Sequence, residues 1–479
     1  MTFITSVLLD PKLLHAERRA IVHQAVPLLM AQLAAMGMMV IDSVLLGHYG
    51  ALDLAAIAVG GGIYISVVMA LVGILQSLGP IASHHIGAGQ PKAAVTAFWQ
   101  GLWLAVLLAV PGVLLLRSPD VILSLSTLEP AVDAKVREVL RLLAFSIPSA
   151  LLYRAFASFA NALGRSRVLM MVSLSATALH ALVAISLVNG YLFWPPLGAA
   201  GCAISTGFVN FWCLLMAGLY LAKAKGMREL AVFSHFSWPR WAHFGEFFRL
   251  GLPMGLSNFV EITSFTFIAL FVAPLGATVV AGHRIVGNLA ALAYMIPLSV
   301  AIATLSRVGQ AAGARDLPRC QCAARAGIRL AMVTSLLVGG LVYVGGPFVV
   351  EGFTSDRAVI ATALPLLGFV MLYQIFDAWQ TVAGYALRGL KVTMTPMLVH
   401  IVAFWGIGLA GGWWLAYRHD MGVAGFWLAS VMSTVAAALA FGWMLRRAFR
   451  LREAEWRQGA LMPPTPLSSP VTLPPTTTS

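Results

Sequence analysis

The sequence predicts an all-α integral membrane protein. Twelve transmembrane helices form two six-helix lobes, related by a pseudo-two-fold along the membrane normal. Three observations carry this reading. Charged residues are 10% of the 479, hydrophobic ones 59%, whereas an ordinary globular domain is about 25% charged. Lysine and arginine concentrate in alternate connecting segments. The second half of the chain also echoes the first at a near-constant offset.

The apolar runs come first. About 20 residues suffice to cross a bilayer. Runs of that order recur at 20–46, 54–79, 93–116, 137–160, 168–189, 198–221, 245–273, 278–304, 324–346, 359–385, 396–417 and 422–445. The first run lacks the short core and small-residue cleavage site of a signal peptide, so no cleaved leader is expected.

The charge distribution sets the orientation. Alternate segments hold Arg18, Arg19, Lys92, Arg165, Arg167, Lys223, Arg249, Arg307, Arg315, Arg388, Lys391 and the cluster Arg446–Arg457. The opposite segments hold only Arg117, Lys135, Arg137, Arg357 and Arg418, with Arg141 just inside span four. This is the positive-inside bias, and it predicts that both termini are cytoplasmic in a bacterial inner membrane. The net charge of +13 is explained by the membrane, so no nucleic-acid partner is expected; the expected partners are the lipid bilayer and small molecules, with the chain a monomer.

The halves come next. Pro27 matches Pro253, Gly50-Ala51 matches Gly276-Ala277, and Gly87-Ala88 matches Gly313-Ala314, all at an offset of 226. "GAAGCAIST" from Gly198 matches "GVAGFWLAS" from Gly422 at nearly the same spacing, and Gly164–Arg167 parallels Gly389–Lys391. An even number of spans per half makes this a parallel repeat. The expected organisation is a cytoplasmic N-terminus over 1–19, an N-lobe over 20–222, a basic linker over 223–244, a C-lobe over 245–446, and a tail over 447–479. The tail's end is rich in Pro, Ser and Thr and reads as disordered. The four cysteines make no disulfide or zinc framework.

Of eighteen acids, three fall inside spans: Asp42, Glu261 and Asp377. Their repeat partners are Ile268, Ala35 and about Leu152, all apolar, so the fold does not require acids there. A charge at the bilayer centre costs roughly 2.5–3.5 kcal/mol even on lenient scales, and intramembrane acids mark ion or substrate pathways. Tyr373 shares a helical face with Asp377, and Asn258 with Glu261. Tyr294 lies mid-span in helix eight. Two carboxylates with neighbouring oxygens suit a hard cation such as Na+; burial equally fits a carboxyl group to hold a proton. Pro27 and Pro253 remove a helical hydrogen bond at matching places and are candidate hinges. His84, His85 and His180 are candidate proton carriers, set against an ordinary hydrogen-bonding role. Arg284 is an odd basic residue inside span eight, placed to pair with an acid or to reach outward.

Three segments resemble the multidrug and toxic compound extrusion family. They are "VIDSVLLGHYG" (40–50), "LGATVVAGHRIVGNLAALAYMIPLSVAIATLSRVGQAAGARD" (275–316) and "YQIFDAWQTVAGYALRGLKVTMTP" (373–396), and the likeness runs from about residue 15 to 450. The pairing of Glu261 with Asp377 resembles the NorM-like branch. That resemblance implies a secondary antiporter that exports lipophilic and cationic drugs against inward Na+ or H+, needing no other cofactor. It implies a coupling-ion site at Glu261, Asp377, Tyr294 and Tyr373. It also implies a substrate or proton pathway at Asp42, Asn258, Asn288, Arg284 and His180. The sequence departs from the family at span five, where His180 and Ala184 replace two frequent asparagines, and at Arg284, where glutamine is frequent.

Two rivals stand beside this reading. A lipid-linked oligosaccharide flippase of related architecture needs several cavity arginines, and here only Arg284 and Arg154 qualify. A membrane enzyme needs a catalytic cluster, and no acid–histidine spacing supplies one. No Gly-x-x-x-x-Gly-Lys-Ser/Thr loop is present for a nucleotide. The charge bias makes its own prediction. Reporter fusions after Arg457 and near Ala231 should both read cytoplasmic; an external signal from either would overturn the span count.

Overall fold

The computed structural model describes residues 10–124, 128–191, 195–224, 227 and 230–461. Among these residues every regular element is helical. Eleven helices are long and apolar enough to cross a membrane, and a bent pair makes the twelfth span. They are α1 (Pro11–Tyr49), α2 (Ala51–Gly87), α3 (Pro91–Arg117), α4 (Pro130–Ala144 with Ile147–Ala162), α5 (Ser166–Asn189), α6 (Ala199–Lys223), α7 (Trp241–Leu275), α8 (Ala277–Gly313), α9 (Leu317–Val344), α10 (Arg357–Gly389), α11 (Met394–Arg418) and α12 (Gly422–Leu461). Helix is the expected answer, because hydrocarbon offers backbone groups no partner outside the segment.

Starts and breaks follow local chemistry. α1 opens on Pro11, whose missing N–H is an orphan anyway, and the Asp10 carboxylate accepts from the Lys12 N–H at 2.8 Å. The two parts of α4 meet at a 50° bend. Pro148 cannot donate back across the break. The Ser146 hydroxyl fills the gap, sitting 2.7 Å from the Leu143 carbonyl and 2.8 Å from the Tyr64 hydroxyl. α2 is interrupted at Gln76–Ser77, where the Ser77 hydroxyl donates to the Ile74 carbonyl at 2.6 Å. α11 carries a π-helical stretch, Ile401–Ala410.

Three boundaries differ from expectation. α1 and α7 begin at Pro11 and Trp241, before the apolar runs do. α12 continues to Leu461, so the first part of the expected disordered tail is helix. Ion pairs at Arg452–Glu455 and Glu453–Arg457 support that extension. Arg452 also donates to the Leu390 carbonyl at 3.2 Å, tying the extension to the bundle. Residues 462–479, the Pro/Ser/Thr-rich end, lie outside the described residues.

The two halves meet at the basic end of the bundle. Glu17, 2% exposed, receives Arg307 through two bonds of 2.7 and 2.8 Å and Arg319 through one of 2.9 Å. Gln310 donates to the Ala162 carbonyl at 2.8 Å, and Ser306 to that of Asn161 at 2.8 Å. The contact is symmetric. A Cβ on Gly87 would strike the Gln310 carbonyl, and one on Gly313 would strike that of His84. Gly87 and Gly313 are repeat partners, as are His84 and Gln310, so the pseudo-two-fold passes through this crossing of α2 and α8. Nearer mid-depth, Gln32 donates to Ser299 at 2.9 Å and Asn258 to Gln76 at 3.1 Å. Among the described residues, every hydrogen bond between the halves lies at mid-depth or nearer the basic end. The hydrogen bonds that pin the halves are therefore confined to that end and mid-depth.

Neither glycine of the crossing has room for a side chain. Gly313→Leu should pry the basic end open. The four native cysteines are buried, so a Ser306→Cys reporter in the seam gives the readout. Its thiol should label slowly in the parent and much faster beside Gly313→Leu. Equal rates would show that the crossing does not hold the end shut.

Candidate functional site

α7, α8 and α10 gather the C-half acids. Glu261 on α7 is half-buried, and Asp377 on α10 is completely buried. The two carboxyl groups are near neighbours. Tyr294 on α8 faces Glu261 and Thr381, and Tyr373, one turn before Asp377, faces its carboxyl group. Tyr373 is itself fixed edge-on against Phe265 and Trp427, with ring centres 5.9 and 6.3 Å away. The expected set Glu261, Asp377, Tyr294 and Tyr373 therefore converges in space.

The packing around Asp377 is asymmetric. Its Oδ1 accepts from the Gln380 amide at 3.0 Å, and the Gln380 carbonyl oxygen lies 3.0 Å from His400 Nε2. Its Oδ2 is buried with no hydrogen-bond partner. An uncompensated buried anion is costly, so this oxygen is a ready acceptor for a cation or a proton.

A nearby cation is not spent on either acid. Arg388, 4% exposed, donates to Asn258 Oδ1 at 3.0 Å and lies 4.5 Å above the Tyr385 ring. Its Nη1 has no partner, and Glu261 lies within its electrostatic reach. The sequence reading counted Arg388 among the basic segments outside the membrane; the structure buries it, because α10 runs on to Gly389 inside the bundle. Asn258, one turn before Glu261 on α7, bridges Arg388 to Gln76 of the other half.

The N-half holds a second cluster. Asp42 Oδ1 lies 2.9 Å from His180 Nε2, and Ser205 Oγ lies 3.0 Å from His180 Nδ1. The Cys202 thiol also lies against Asp42. His180 and Ser205 are buried, while the Asp42 side chain keeps 17% of its surface open. Both protonation states of the imidazole are satisfied. When neutral, Nε2–H donates to Asp42 and the Ser205 hydroxyl donates to Nδ1. When charged, Nδ1–H donates to Ser205 Oγ, and the hydroxyl turns to the His180 carbonyl at 3.2 Å.

The remaining expected residues lie apart from these clusters. Arg284 and Asn288 share an exposed face of α8, and among the described residues Arg284 pairs with no acid. Pro27 and Pro253 are buried within unbroken helices, each depriving the carbonyl one turn earlier of its donor. His84 Nε2 donates to the Gly389 carbonyl at 2.8 Å. Sequence reasoning missed Gln380, Thr381, Arg388 and His400. Gln380 had one signal, its position three residues after Asp377; His400 had none.

A twelve-helix bundle in two like halves, one gathering two acids and the other an acid–histidine pair, is the build of a membrane transporter. The MatE family model matches residues 27–186 and 253–414, once in each half and in the register of the internal repeat. The chain belongs to the MatE family. It is 50% identical over 434 residues to the "Probable multidrug resistance protein NorM" of Aromatoleum aromaticum, covering 89% of this chain and 94% of the relative. It is 38% identical to the protein of that name from Chromobacterium violaceum, covering 91% and 95%. The fold matches the crystal structure of the eukaryotic MATE transporter AtDTX14 with a TM-score of 0.81 at 21% identity, covering 92% and 99%.

The N-half cluster predicts a stability effect. Removing one partner of a buried hydrogen bond costs about 1–3 kcal/mol. His180→Ala should lower the melting temperature of purified protein, and adding Asp42→Ala should cost less than the sum of the singles. Strict additivity would mean that the pair is not coupled.

Proposed function

We propose that the protein is a secondary antiporter. It exports lipophilic, often cationic, drugs from the cytoplasm in exchange for inward Na+ or H+. The observation that carries this is the Asp377 carboxylate, fully buried with an unpartnered oxygen, beside the second acid Glu261. The neighbouring arginine is committed to Asn258. Such a pair is stable only when something cationic or a proton occupies it. The names of the curated relatives support drug export as the cargo class.

Neutralising the acids shifts the balance between two states of the bundle, because an ion that binds one state better favours it. The state seen here is closed at the basic end, which is the cytoplasmic end on the charge bias. Alternating access then exchanges this seam for one at the opposite end. Pro27 and Pro253 serve as bending points within the lobes over 20–222 and 245–446, which the segment over 223–244 connects. Asp42 and His180 form the N-lobe part of the pathway. Arg284 and Asn288 line the opening on the α8 side. One charge moving through 100 mV releases about 2.3 kcal/mol, so ion entry can sustain a concentration gradient of drug. The flippase reading is not favoured, since the gathered intramembrane clusters are acidic.

Purified protein loaded with a fluorescent cationic drug tests this. Raising Na+, or lowering pH, should release the drug. Glu261→Gln and Asp377→Asn should each abolish the release while leaving drug binding, and the double variant should be little worse, because the two act as a unit. Release from Glu261→Gln with the parent's ion dependence would make Glu261 a structural acid and end the proposal. In proteoliposomes, imposing a Na+ gradient and a pH gradient separately identifies the coupling ion.

A further inference from the structure

At the basic end, away from both acid clusters, lies a cavity of about 600 Å³. One wall is a single face of α1, carrying Lys12, His15, Arg19 and His23 at helical spacing. The opposite wall is Arg307 and Gln310 of α8, in the other half, and the turn between α4 and α5 closes the third side. No acid lines it. Glu17, on the same helix, is buried and paired with Arg307 and Arg319. Among the described residues Lys12 and Arg19 have no ion-pair partner. Arg167 donates to His23 at 2.6 Å and Arg18 to His15 at 3.2 Å, so each imidazole accepts from an arginine held beside the cavity wall.

The same face of α1 changes character one turn deeper. Val22, Val26, Met30 and Leu33 follow Arg19 at spacings of three and four, and they are 38, 55, 42 and 36% exposed. A basic cavity thus opens onto an exposed apolar track running along the helix toward mid-membrane. We propose that this is a binding site for an anionic phospholipid. Its phosphate headgroup sits between Lys12, Arg19 and His23 of α1 and Gln310 of α8, and one acyl chain lies along Val22, Val26 and Met30. Basic pockets between membrane helices capture such headgroups. A soluble phosphate shares the headgroup chemistry but has no use for the track. Because the walls come from both halves, the lipid bridges them, and its binding holds the basic end closed.

The test uses the purified full-length chain in detergent, titrated with phosphatidylglycerol, phosphatidylcholine or inorganic phosphate. The readouts are lipid copies retained in native mass spectrometry and the melting temperature. Phosphatidylglycerol should be retained and should raise the melting temperature; phosphatidylcholine should do neither. Arg19→Gln with His23→Gln should weaken phosphatidylglycerol binding roughly tenfold or more, since each basic group near a phosphate contributes on this scale. The charge-keeping Arg19→Lys should retain most of it. These side chains are exposed, so the variants should fold, and Arg19→Lys controls for any loss of fold. Val26→Asp should weaken lipid retention with the basic residues intact. Equal retention of phosphatidylcholine, or unchanged affinity in Arg19→Gln/His23→Gln, would overturn the site. Inorganic phosphate matching the stabilisation by phosphatidylglycerol would overturn the lipid in favour of a free-anion site. None of these readouts involves transport, so they stand or fall separately from the antiport mechanism.

Discussion

A backbone in hydrocarbon must satisfy its own hydrogen bonds, and the rest of this structure is organised around that constraint. It makes every span a helix, and it makes each interruption of a helix a local problem that side chains must solve. The break in α2 is answered by Ser77, and the bend in α4 by Ser146, the latter with Tyr64 behind it. These repairs also position polar groups. Gln76, at the break in α2, reaches across to Asn258, and from there the chain of contacts runs to Arg388. An irregularity in the N-half is thereby wired to the edge of the C-half acid cluster.

The second constraint is charge burial. The protein meets it in three different ways. Glu17 is neutralised by two arginines and becomes structural, locking the halves together. Asp42 is met by an imidazole that is satisfied with or without its extra proton. Asp377 is left with one oxygen unpartnered. The contrast separates a latch from a site. A fully paired carboxylate has nothing further to bind, whereas an under-satisfied one retains affinity for a cation or a proton.

The internal repeat sets where the halves cross. Gly87 and Gly313 cross on the symmetry axis, and each meets a repeat-matched carbonyl, that of Gln310 or His84. A contact built this way is nearly the same in both directions, so its loss is felt equally by both halves. The acids break this symmetry, since Glu261 and Asp377 have apolar counterparts in the N-half. Duplication supplied the frame, and the unequal polar residues differentiate the halves.

Much of the fold was legible in the sequence. Composition and spacing set the number of spans, the charge bias set which ends are basic, and the repeat set the halves. The three intramembrane acids stood out because each is expensive where it lies. What tertiary structure alone decided was partnership. Asp42 meets His180 across 138 residues, Asn258 meets Gln76 across 182, and Glu17 meets Arg307 across 290. Periodicity along one helix defines its faces but carries no information on which neighbour each face meets. Arg388 shows the same limit. Its position at the end of an apolar run read as a solvated segment, and only the packing of α10 against its neighbours placed it beside the acids. The helical extension of α12 likewise depends on a carbonyl at Leu390 that no local pattern could supply. Single-helix chemistry is written in the sequence; the pairing of helices is settled when the bundle closes and burial decides which polar groups must find one another.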